Sequence, residues 1–346
     1  MSQSKTPTST KKYKSRVQDN PELQTPIKIP SSPFLTQIGY GCGVNVFSLE
    51  RSPKVGFSRS PWAIKKRNRK VEDNKYNERI RFEAEVLRKL NHENIVGFRA
   101  FAEISKGEPC LIMEKLDASL GDMIEQRLVS GDDQFPANDI LQITYEIVKG
   151  LEYLHHTAHI LHGDIKSYNV LVSADYKTVK LCDFGVSLPL TESLEMDTSR
   201  GNFIYVGTEC WTAPEIIFED GPVTNKADIW AYGLVVWEMI ALSPPHVDSS
   251  ETDESCMDDS VEEVPVENNA SMNENNSSMD DSCGMFDEMF NKKCGTRPPL
   301  PAINLGKEYE KVLEIFFACT SVDYKVRPSA KGLANYFRNC VYKTNK

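Results

Sequence analysis

Apolar residues follow two different spacings along this chain of 346 residues. Between residues 34 and 113 they fall in short runs separated by polar or glycine-rich turns, which predicts a region of β-strands. Beyond residue 118 they mostly recur every three or four residues, which predicts helices. The clearest helical case is 140–154, where isoleucines and leucines mark one face. This order predicts a small β-rich lobe followed by a larger helical lobe.

One helix interrupts the strand-rich part. In the stretch 74–91, Ile80, Glu83 and Leu87 share one face at helical spacing, whereas Glu85 points away from it. A carboxylate on a buried face is costly without a partner. We therefore expect a cation opposite Glu83.

A second stretch, 227–241, is apolar almost throughout. It is too short to span a bilayer, and it contains Asp228 and Glu238. We predict a helix buried in the core, and no association with a membrane.

The most informative polar segment is the loop His162-Gly163-Asp164-Ile165-Lys166-Ser167-Tyr168-Asn169. Two β-branched runs, 170–172 and 178–181, follow it and predict a hairpin. The hairpin ends just before Asp183-Phe184-Gly185, so both polar segments should meet at one edge.

The side chains of these two segments have the chemistry that phosphoryl transfer requires. Asp164 can orient a hydroxyl group and accept its proton, and Lys166 can neutralise phosphate oxygens. Asn169 and Asp183 offer the oxygen ligands that Mg²⁺ prefers. An isolated Asp or Asn is more often a turn residue, but four such groups at these offsets favour catalysis.

A glycine-rich segment and a lysine come before the predicted helix. The segment Gly39-Tyr40-Gly41-Cys42-Gly43-Val44-Asn45-Val46 can bring backbone N–H groups close to phosphate oxygens, although glycine-rich hairpins without a ligand are common. In Trp62-Ala63-Ile64-Lys65, the second and fourth residues share one face of a strand. Lys65 should therefore point into a cleft beneath the glycine-rich turn and pair with Glu83.

In this order, the segments resemble the eukaryotic protein kinases over residues 34–342. The resemblance implies an α+β bilobal fold, with an antiparallel β-rich lobe at 34–113, a hinge at 114–117 and a mainly helical lobe at 118–342. It implies ATP and Mg²⁺ as cofactors. It implies that the segment 207–215 is a platform for a peptide substrate, with Glu215 paired to Arg327. Asp228 should accept backbone hydrogen bonds from the catalytic loop.

The same resemblance assigns the site residues. The implied catalytic residues are Asp164, Lys166, Lys65 and Glu83, and the implied metal ligands are Asn169 and Asp183. The implied nucleotide-binding residues are Ile38, Gly39, Tyr40, Gly41, Cys42, Gly43, Val44, Asn45, Val46, Ala63, Lys65, Met113, Glu114 and Leu116.

Val44 and Gly163 depart from the usual kinase pattern and resemble a MAP-kinase-kinase-like branch of the family. That branch implies mitotic activity, phosphorylation by a cyclin-dependent kinase at Thr6, and signalling to p38-type MAP kinases. Lys166 resembles the serine/threonine class, and dual specificity stays open. PDZ domains take an apolar C-terminal residue, so we expect no PDZ binding by a chain that ends in Lys346.

Two segments differ from the rest in composition. Residues 1–33 are rich in Lys, Ser, Thr and Pro and should be a disordered tail. Thr6, Thr25 and Ser32 each precede a proline and are candidate phosphorylation sites, although such pairs are also common by chance. The acidic insert, residues 248–291, should also be disordered.

The acidic insert also explains the net charge of −10. It contains 14 acidic residues and no Lys or Arg, so the remainder carries +4 (−10 minus −14). This balance gives no indication of nucleic-acid binding. The nine cysteines are irregularly spaced, which favours reduced thiols in the cytoplasm, the nucleus or both.

Two other functions fit parts of the pattern. A pseudokinase scaffold would act through protein contacts, but every catalytic position is filled. A small-molecule phosphotransferase of kinase-like fold is disfavoured by the segment 207–215. Gly163 stands where kinases commonly carry an arginine that contacts a phosphorylated activation segment. We therefore expect weak coupling between such a phosphate and Asp164.

Overall fold

The computed structural model describes residues 35–41, 43–49, 61–68, 70–71, 74–104, 107–247 and 293–342. The predicted tail, the acidic insert, Cys42 and the last four residues lie outside the described residues. Among the described residues, no helix combines the length and the apolar character that crossing a membrane requires.

The first lobe is built on a five-stranded antiparallel sheet. Its strand order is β1-β2-β3-β5-β4. The strands are β1 Thr36–Gly41, β2 Val44–Leu49, β3 Trp62–Arg67, β4 Phe98–Ile104 and β5 Glu108–Glu114. β3 is a central strand, and Lys65 on it lies opposite Val46 of β2 and Leu111 of β5.

One helix, α1 Lys75–Leu87, packs on this sheet. Its buried face includes Ile80, Glu83 and Leu87, whereas Glu85 is exposed, as the helical spacing predicted. The predicted stretch ran to residue 91, but the last turn is tighter. There the N–H groups of Lys89 and Leu90 bond three residues back rather than four.

The second lobe is mainly helical. Its helices are α2 Leu120–Val129, α3 Ala137–Tyr153, α4 Pro214–Ile217, α5 Lys226–Ala241, α6 Glu310–Cys319 and α7 Ala330–Tyr336. Every residue of α5 from Ala227 to Ile240 is buried, which confirms the predicted core helix. Most of the apolar core of this lobe surrounds α5 and α3.

Short strands lie beside the helices where the two predicted polar segments are found. β6 Ala118–Ser119, β8 Val170–Val172 and β9 Val179–Leu181 form one small sheet, and β7 Ile160–Leu161 pairs with β10 Leu188–Pro189. β8 and β9 are the predicted hairpin. As expected, the hairpin joins the catalytic loop to Asp183.

A covalent link and a hydrogen-bonded seam both join the lobes. The chain passes from β5 to β6 through residues 115–117. Separately, the segment before β4 pairs with β9: the N–H of Val96 donates to Leu181 O, and the N–H of Leu181 donates to Asn94 O, each at 2.9 Å. Nearby, Lys180 Nζ lies 2.8 Å from Glu114 Oε1. In the described ranges, the sheet lobe is therefore attached to the helical lobe through this hydrogen-bonded seam as well as through the covalent link.

A buried ion pair fixes the end of the segment 207–215. Arg327 donates to both carboxylate oxygens of Glu215, at 2.8 and 2.7 Å, and both side chains are buried. The Arg327 guanidinium also lies over the Trp230 ring of α5. The predicted pair of Glu215 and Arg327 is thus present, and it holds α4 against the core.

Candidate active site

Lys65 connects the sheet, α1 and the loop that contains Asp183. Its Nζ lies 2.9 Å from Glu83 Oε2 and 2.8 Å from Asp183 Oδ2. Lys65 and Glu83 are buried, whereas the Asp183 side chain is 40% exposed. The cation expected opposite Glu83 is therefore present, and the same cation also holds Asp183.

Burial and the sharing of one ammonium group determine the ionisation of this cluster. Burial acts to lower the pKa of Lys65, but the carboxylates of Asp183 and Glu83 outweigh it and raise the pKa well above its usual range. Burial also acts to raise the pKa of Asp183, but the Lys65 ammonium holds it at about 2. Burial, opposed by Lys65, raises the pKa of Glu83 to about 7. Asp183 is therefore ionised at neutral pH and can bind a cation.

A second cluster surrounds Asp164. Asn169 Nδ2 donates to the backbone O and to Oδ2 of Asp164, both at 2.8 Å. The hydroxyl and the N–H of Thr208 donate to Asp164 Oδ1, at 2.7 and 3.2 Å. Lys166 Nζ lies 3.4 Å from Asp164 Oδ2. Both carboxylate oxygens are therefore held in place, one by the catalytic loop (residues 162–169) and the other by the activation segment (residues 183–215).

Thr208 is a site residue that the sequence analysis did not assign. Its hydroxyl oxygen also accepts a hydrogen bond of 2.7 Å from Lys166 Nζ. One oxygen thus links the predicted base and the predicted phosphate-neutralising cation. The segment 207–215 was predicted only as a platform, because no spacing rule relates a threonine to an aspartate 44 residues away.

Asp228 of α5 anchors the beginning of the catalytic loop. Its carboxylate accepts the N–H groups of His162 and Gly163 at 2.9 and 3.0 Å, as predicted, and it pairs with His155 Nε2 at 2.8 Å. Burial acts to raise the pKa of Asp228, but the hydrogen bond from His155 and the other donors outweigh it and lower the pKa. The loop is thus attached to the most deeply buried helix.

Phe184 positions Asp183 from the core side. The Phe184 ring is fully buried, and its centroid lies 4.8 Å from that of the His162 ring. Asp183 has a φ of 63°, in the left-handed region that few residues other than glycine adopt. This backbone turn lets Phe184 enter the core while the neighbouring carboxylate faces Lys65.

Glu238 is a second carboxylate of α5 that reaches the site. Its oxygens accept hydrogen bonds from the hydroxyl of Ser167 at 2.6 Å and from Trp211 Nε1 at 2.9 Å. It therefore links the catalytic loop to the activation segment. Burial raises its pKa to about 7. From the sequence, Glu238 could be recognised only as an acid on a core helix.

Comparison with known proteins agrees with this geometry. A family model described as a protein kinase domain matches residues 34–336, which is most of the chain. The chain belongs to the protein kinase family. The predicted two-lobed α+β fold and the predicted protein kinase activity are therefore confirmed.

Individual kinases show how far the similarity extends. The chain is 42% identical over 308 residues to the human lymphokine-activated killer T-cell-originated protein kinase, covering 88% of each protein. It is 32% identical over 176 residues to the mitogen-activated protein kinase kinase kinase zak-1 of Caenorhabditis elegans, covering 49% of this chain and 23% of that one. Over 163 residues it is 37% identical to the serine/threonine-protein kinase CLA4 of Candida albicans, covering 47% and 16%.

The residues predicted to surround the nucleotide lie on strands β1, β2, β3 and β5 or directly next to them. Ala63 and Met113 are buried and face each other across β3 and β5. Of the other predicted residues, Ile38, Gly39, Tyr40 and Gly41 lie on β1, and Gly43 lies in the β1–β2 turn. Val44, Asn45 and Val46 lie on β2. Glu114 is the last residue of β5, and Leu116 follows it in the hinge. Cys42 lies outside the described residues.

Besides its predicted place near phosphate, Gly43 has a structural role in the β1–β2 turn. Its φ is +69°, and a Cβ atom there would lie 2.4 Å from the Tyr76 ring of α1. The tight β1–β2 turn therefore depends on this glycine. Its neighbour Val44, at the position of the third glycine of other kinases, forms the first residue of β2.

The structure narrows the predicted role of Glu114 in the hinge. Its N–H donates to Gly97 O at 3.0 Å, and its side chain is paired with Arg99 at 2.7 Å and Lys180 at 2.8 Å. The N–H is therefore already used within the fold. Of the predicted hinge groups, the carbonyl of Glu114 and the backbone of Leu116 suit an adenine ring.

The Mg²⁺ chemistry that kinases use fits Asn169 and Asp183. Asp183 is ionised and partly exposed, as described above. Both Asn169 hydrogen bonds to Asp164 use its amide nitrogen, so the side-chain oxygen is the atom suited to a cation. No cluster of three or more His, Cys, Asp or Glu side chains forms a complete metal site in the described ranges.

Replacing Thr208 tests its place in the site. A hydrogen bond to a charged group contributes about 1.5–3 kcal/mol, so we expect Thr208→Ala to lower kcat by about 10-fold or more. Thr208→Ser keeps the hydroxyl and should retain most of kcat. Steady-state kinetics of the purified variants, with melting curves to check folding, measure this. Equal losses in the Ala and Ser variants would assign the effect to packing of the methyl group.

The pKa of Glu238 predicts how stability depends on pH. Its folded-state pKa of about 7 exceeds its ordinary value of 4.5, so the native state keeps a proton that the unfolded state has released. The free energy of unfolding should therefore fall as pH rises from about 4.5 to 7, by about 3 kcal/mol from this group.

Glu238→Gln should flatten this part of the pH profile of denaturant unfolding. Glu83 also has a raised pKa, so some slope should persist. The control is Glu85→Gln, since Glu85 is exposed on α1. A profile as steep in Glu238→Gln as in the natural protein would show that Glu238 is ionised throughout this range.

Proposed function

We propose that this protein kinase phosphorylates serine and threonine hydroxyls of protein substrates, with ATP as phosphoryl donor and Mg²⁺ as metal. The observation that supports it most is the convergence of Asp164, Lys166 and Thr208 close to the Asn169 side chain. Lys166, two residues after Asp164, resembles the serine/threonine class. A MAP-kinase-kinase-like enzyme can also accept tyrosine, so the acceptor residue is the first quantity to measure.

Each of these residues has a separate role in the reaction. Asp164, held through both oxygens, orients the acceptor hydroxyl and takes its proton. Lys166 and Lys65 neutralise phosphate oxygens. When bound, Mg²⁺ supplies charge neutralisation on the phosphates; Asn169 and Asp183 would hold it. Glu83 keeps Lys65 directed at the cleft, because a buried carboxylate and ammonium hold each other in place.

The upstream and downstream partners form the second part of the proposal. A cyclin-dependent kinase would phosphorylate Thr6, with Thr25 and Ser32 as further candidates, and p38-type MAP kinases would be substrates in mitotic or stress signalling. The support is the MAP-kinase-kinase-like pattern at Val44 and Gly163. Phosphopeptide mapping of protein from mitotic cells that found all three sites unmodified would contradict the upstream part.

We also propose that the protein acts in the cytoplasm, the nucleus or both. The six cysteines in the described ranges are all free thiols, as is usual in reducing compartments. Imaging of the tagged full chain in dividing cells tests this.

The decisive test of function compares the natural protein with Asp164→Ala. The natural protein with ATP and Mg²⁺ should transfer phosphate to generic Ser/Thr protein substrates, and Asp164→Ala should lose at least about 100-fold in kcat. Phosphoamino-acid analysis of the product separates Ser/Thr from tyrosine acceptors. If Asp164→Ala kept full activity, that activity would come from a contaminating kinase, and the protein itself would be a pseudokinase scaffold. Aminoglycosides and choline serve as acceptors to test for a small-molecule phosphotransferase.

Hydrogen bonds that need no phosphate hold the activation segment in this arrangement. Leu190 forms an isolated β-bridge to Met196, and Glu195 forms one to Thr224. Asp197 accepts a hydrogen bond from the N–H of Ser199 and forms an ion pair with Arg200. Gly163 has a φ of +80°, and a Cβ atom there would lie 3.1 Å from Val186 O. The position therefore suits glycine and provides no cation for a phosphate.

We therefore expect the quadruple replacement of Thr191, Ser193, Thr198 and Ser199 by Ala to keep a substantial fraction of kcat. The measurement is kcat of protein made without an upstream kinase and treated with phosphatase. The matched control is Thr208→Ala in the same segment, which should lose activity. Loss of nearly all turnover in the quadruple variant would show that a phosphate on this segment is required.

A further inference from the structure

The activation segment approaches the catalytic loop just before Thr208. Side chains of residues 202–207 alternate between exposed and partly buried, which is the pattern of an extended chain lying on a surface. Phe203 and Tyr205 face inward and pack against the apolar core, whereas Ile204 between them is 73% exposed. Tyr205 is therefore the inward-facing side chain that lies nearest in sequence to Thr208.

The far end of the Tyr205 ring lies where two backbones come close together. A Cβ atom on Gly207 would lie 2.6 Å from Tyr205 Oη, 2.7 Å from Tyr205 Cε1 and 2.8 Å from Gly163 O. Only glycine therefore fits at position 207. The hydroxyl end of the Tyr205 ring and the catalytic-loop carbonyl of Gly163 thus lie on the same side of the Gly207 backbone.

Gly163 is a fixed point for this contact. Its N–H donates to Asp228 Oδ1 at 3.0 Å, and Asp228 belongs to the buried helix α5. Gly163 has no side chain that could bind a phosphate on the activation segment. Whatever holds the segment against the loop at this place must therefore act through backbone and through the Tyr205 ring.

The position of Gly207 determines where the next residue points. Thr208 donates to Asp164 Oδ1 through its N–H at 3.2 Å and through its hydroxyl at 2.7 Å. A shift of the Gly207 backbone would move both donors together. Displacements of about 1 Å in a catalytic group can lower a rate by about 100-fold, so the packing around Gly207 bears on the chemistry.

The Tyr205 phenol is also suited to a place near the site carboxylates. Burial raises its pKa well above its usual range, and the carboxylates of Asp228 and Asp164 raise it further. The phenol is therefore neutral at any working pH. A neutral ring can hold the segment beside Asp164 without adding a second negative charge there.

We propose that Tyr205 is a positioning residue for phosphoryl transfer: its ring holds Gly207 against Gly163, and so places the donors of Thr208 on Asp164 without a phosphorylated residue. The proposal rests on the role of Asp164 proposed above, which Asp164→Ala tests separately. Tyr205 itself acts through Thr208 and has no part in binding the nucleotide.

The experiment compares kcat and the KM for ATP of Tyr205→Leu and Tyr205→Phe with those of the natural protein, all treated with phosphatase. Leu lacks the ring end that contacts Gly207, so kcat should fall by about 10-fold or more with the KM for ATP unchanged. Phe keeps the ring and should keep most of kcat. The matched control is Ile204→Ala at the exposed neighbour, which should leave kcat unchanged.

A double replacement separates positioning from a general loss of structure. In the Thr208→Ala background, Tyr205→Leu should lower kcat little further, because the hydroxyl that Tyr205 places is already absent. Melting curves check folding, and Tyr205→Val, which also lacks the ring end, repeats the comparison if Tyr205→Leu does not fold.

Three results would overturn the proposal. The first is an unchanged kcat in a folded Tyr205→Leu or Tyr205→Val protein. The second is a loss in the double variant equal to the product of the two single losses, which would show that Tyr205 acts independently of Thr208. The third is a loss in Tyr205→Phe as large as in Tyr205→Leu, which would assign the effect to the hydroxyl group instead of the ring.

Discussion

Two carboxylates on the buried helix α5 position the catalytic machinery. Asp228, near the start of the helix, holds the backbone at His162 and Gly163, and Glu238, near its end, holds Ser167 and Trp211. Ten residues of helix separate them by about 15 Å. Because α5 is enclosed by the core, both carboxylates are fixed in space. The catalytic loop is attached at both ends to this rigid support, and so is the end of the activation segment.

Lys65 brings the other lobe to this support. It extends from the central strand β3, and its ammonium is shared by Glu83 of α1 and Asp183 of the helical lobe. A single cation thus makes the position of α1 depend on the conformation around Asp183. Phe184 is buried against His162, and this packing contact also links the backbone around Asp183 to the catalytic loop. The positions of the sheet lobe, α1 and the catalytic loop therefore depend on one another.

The sequence predicted those parts of the fold and the site that depend on residues close together in the chain. Helical spacing placed Glu83 on the buried face, and the β8–β9 hairpin followed from two β-branched runs. Thr208 and Glu238 were not assigned, because their roles depend on contacts across 44 and 71 residues. The tight last turn of α1 was also missed, since apolar spacing alone does not distinguish it from a full helical turn.

The pairing of Asn94 and Val96 with Leu181 has a mechanical consequence. A lobe joined by one flexible strand could swivel in every direction. Here this hydrogen-bonded seam adds an attachment beside the covalent link at 115–117. The seam therefore limits how far one lobe can twist against the other when the cleft opens.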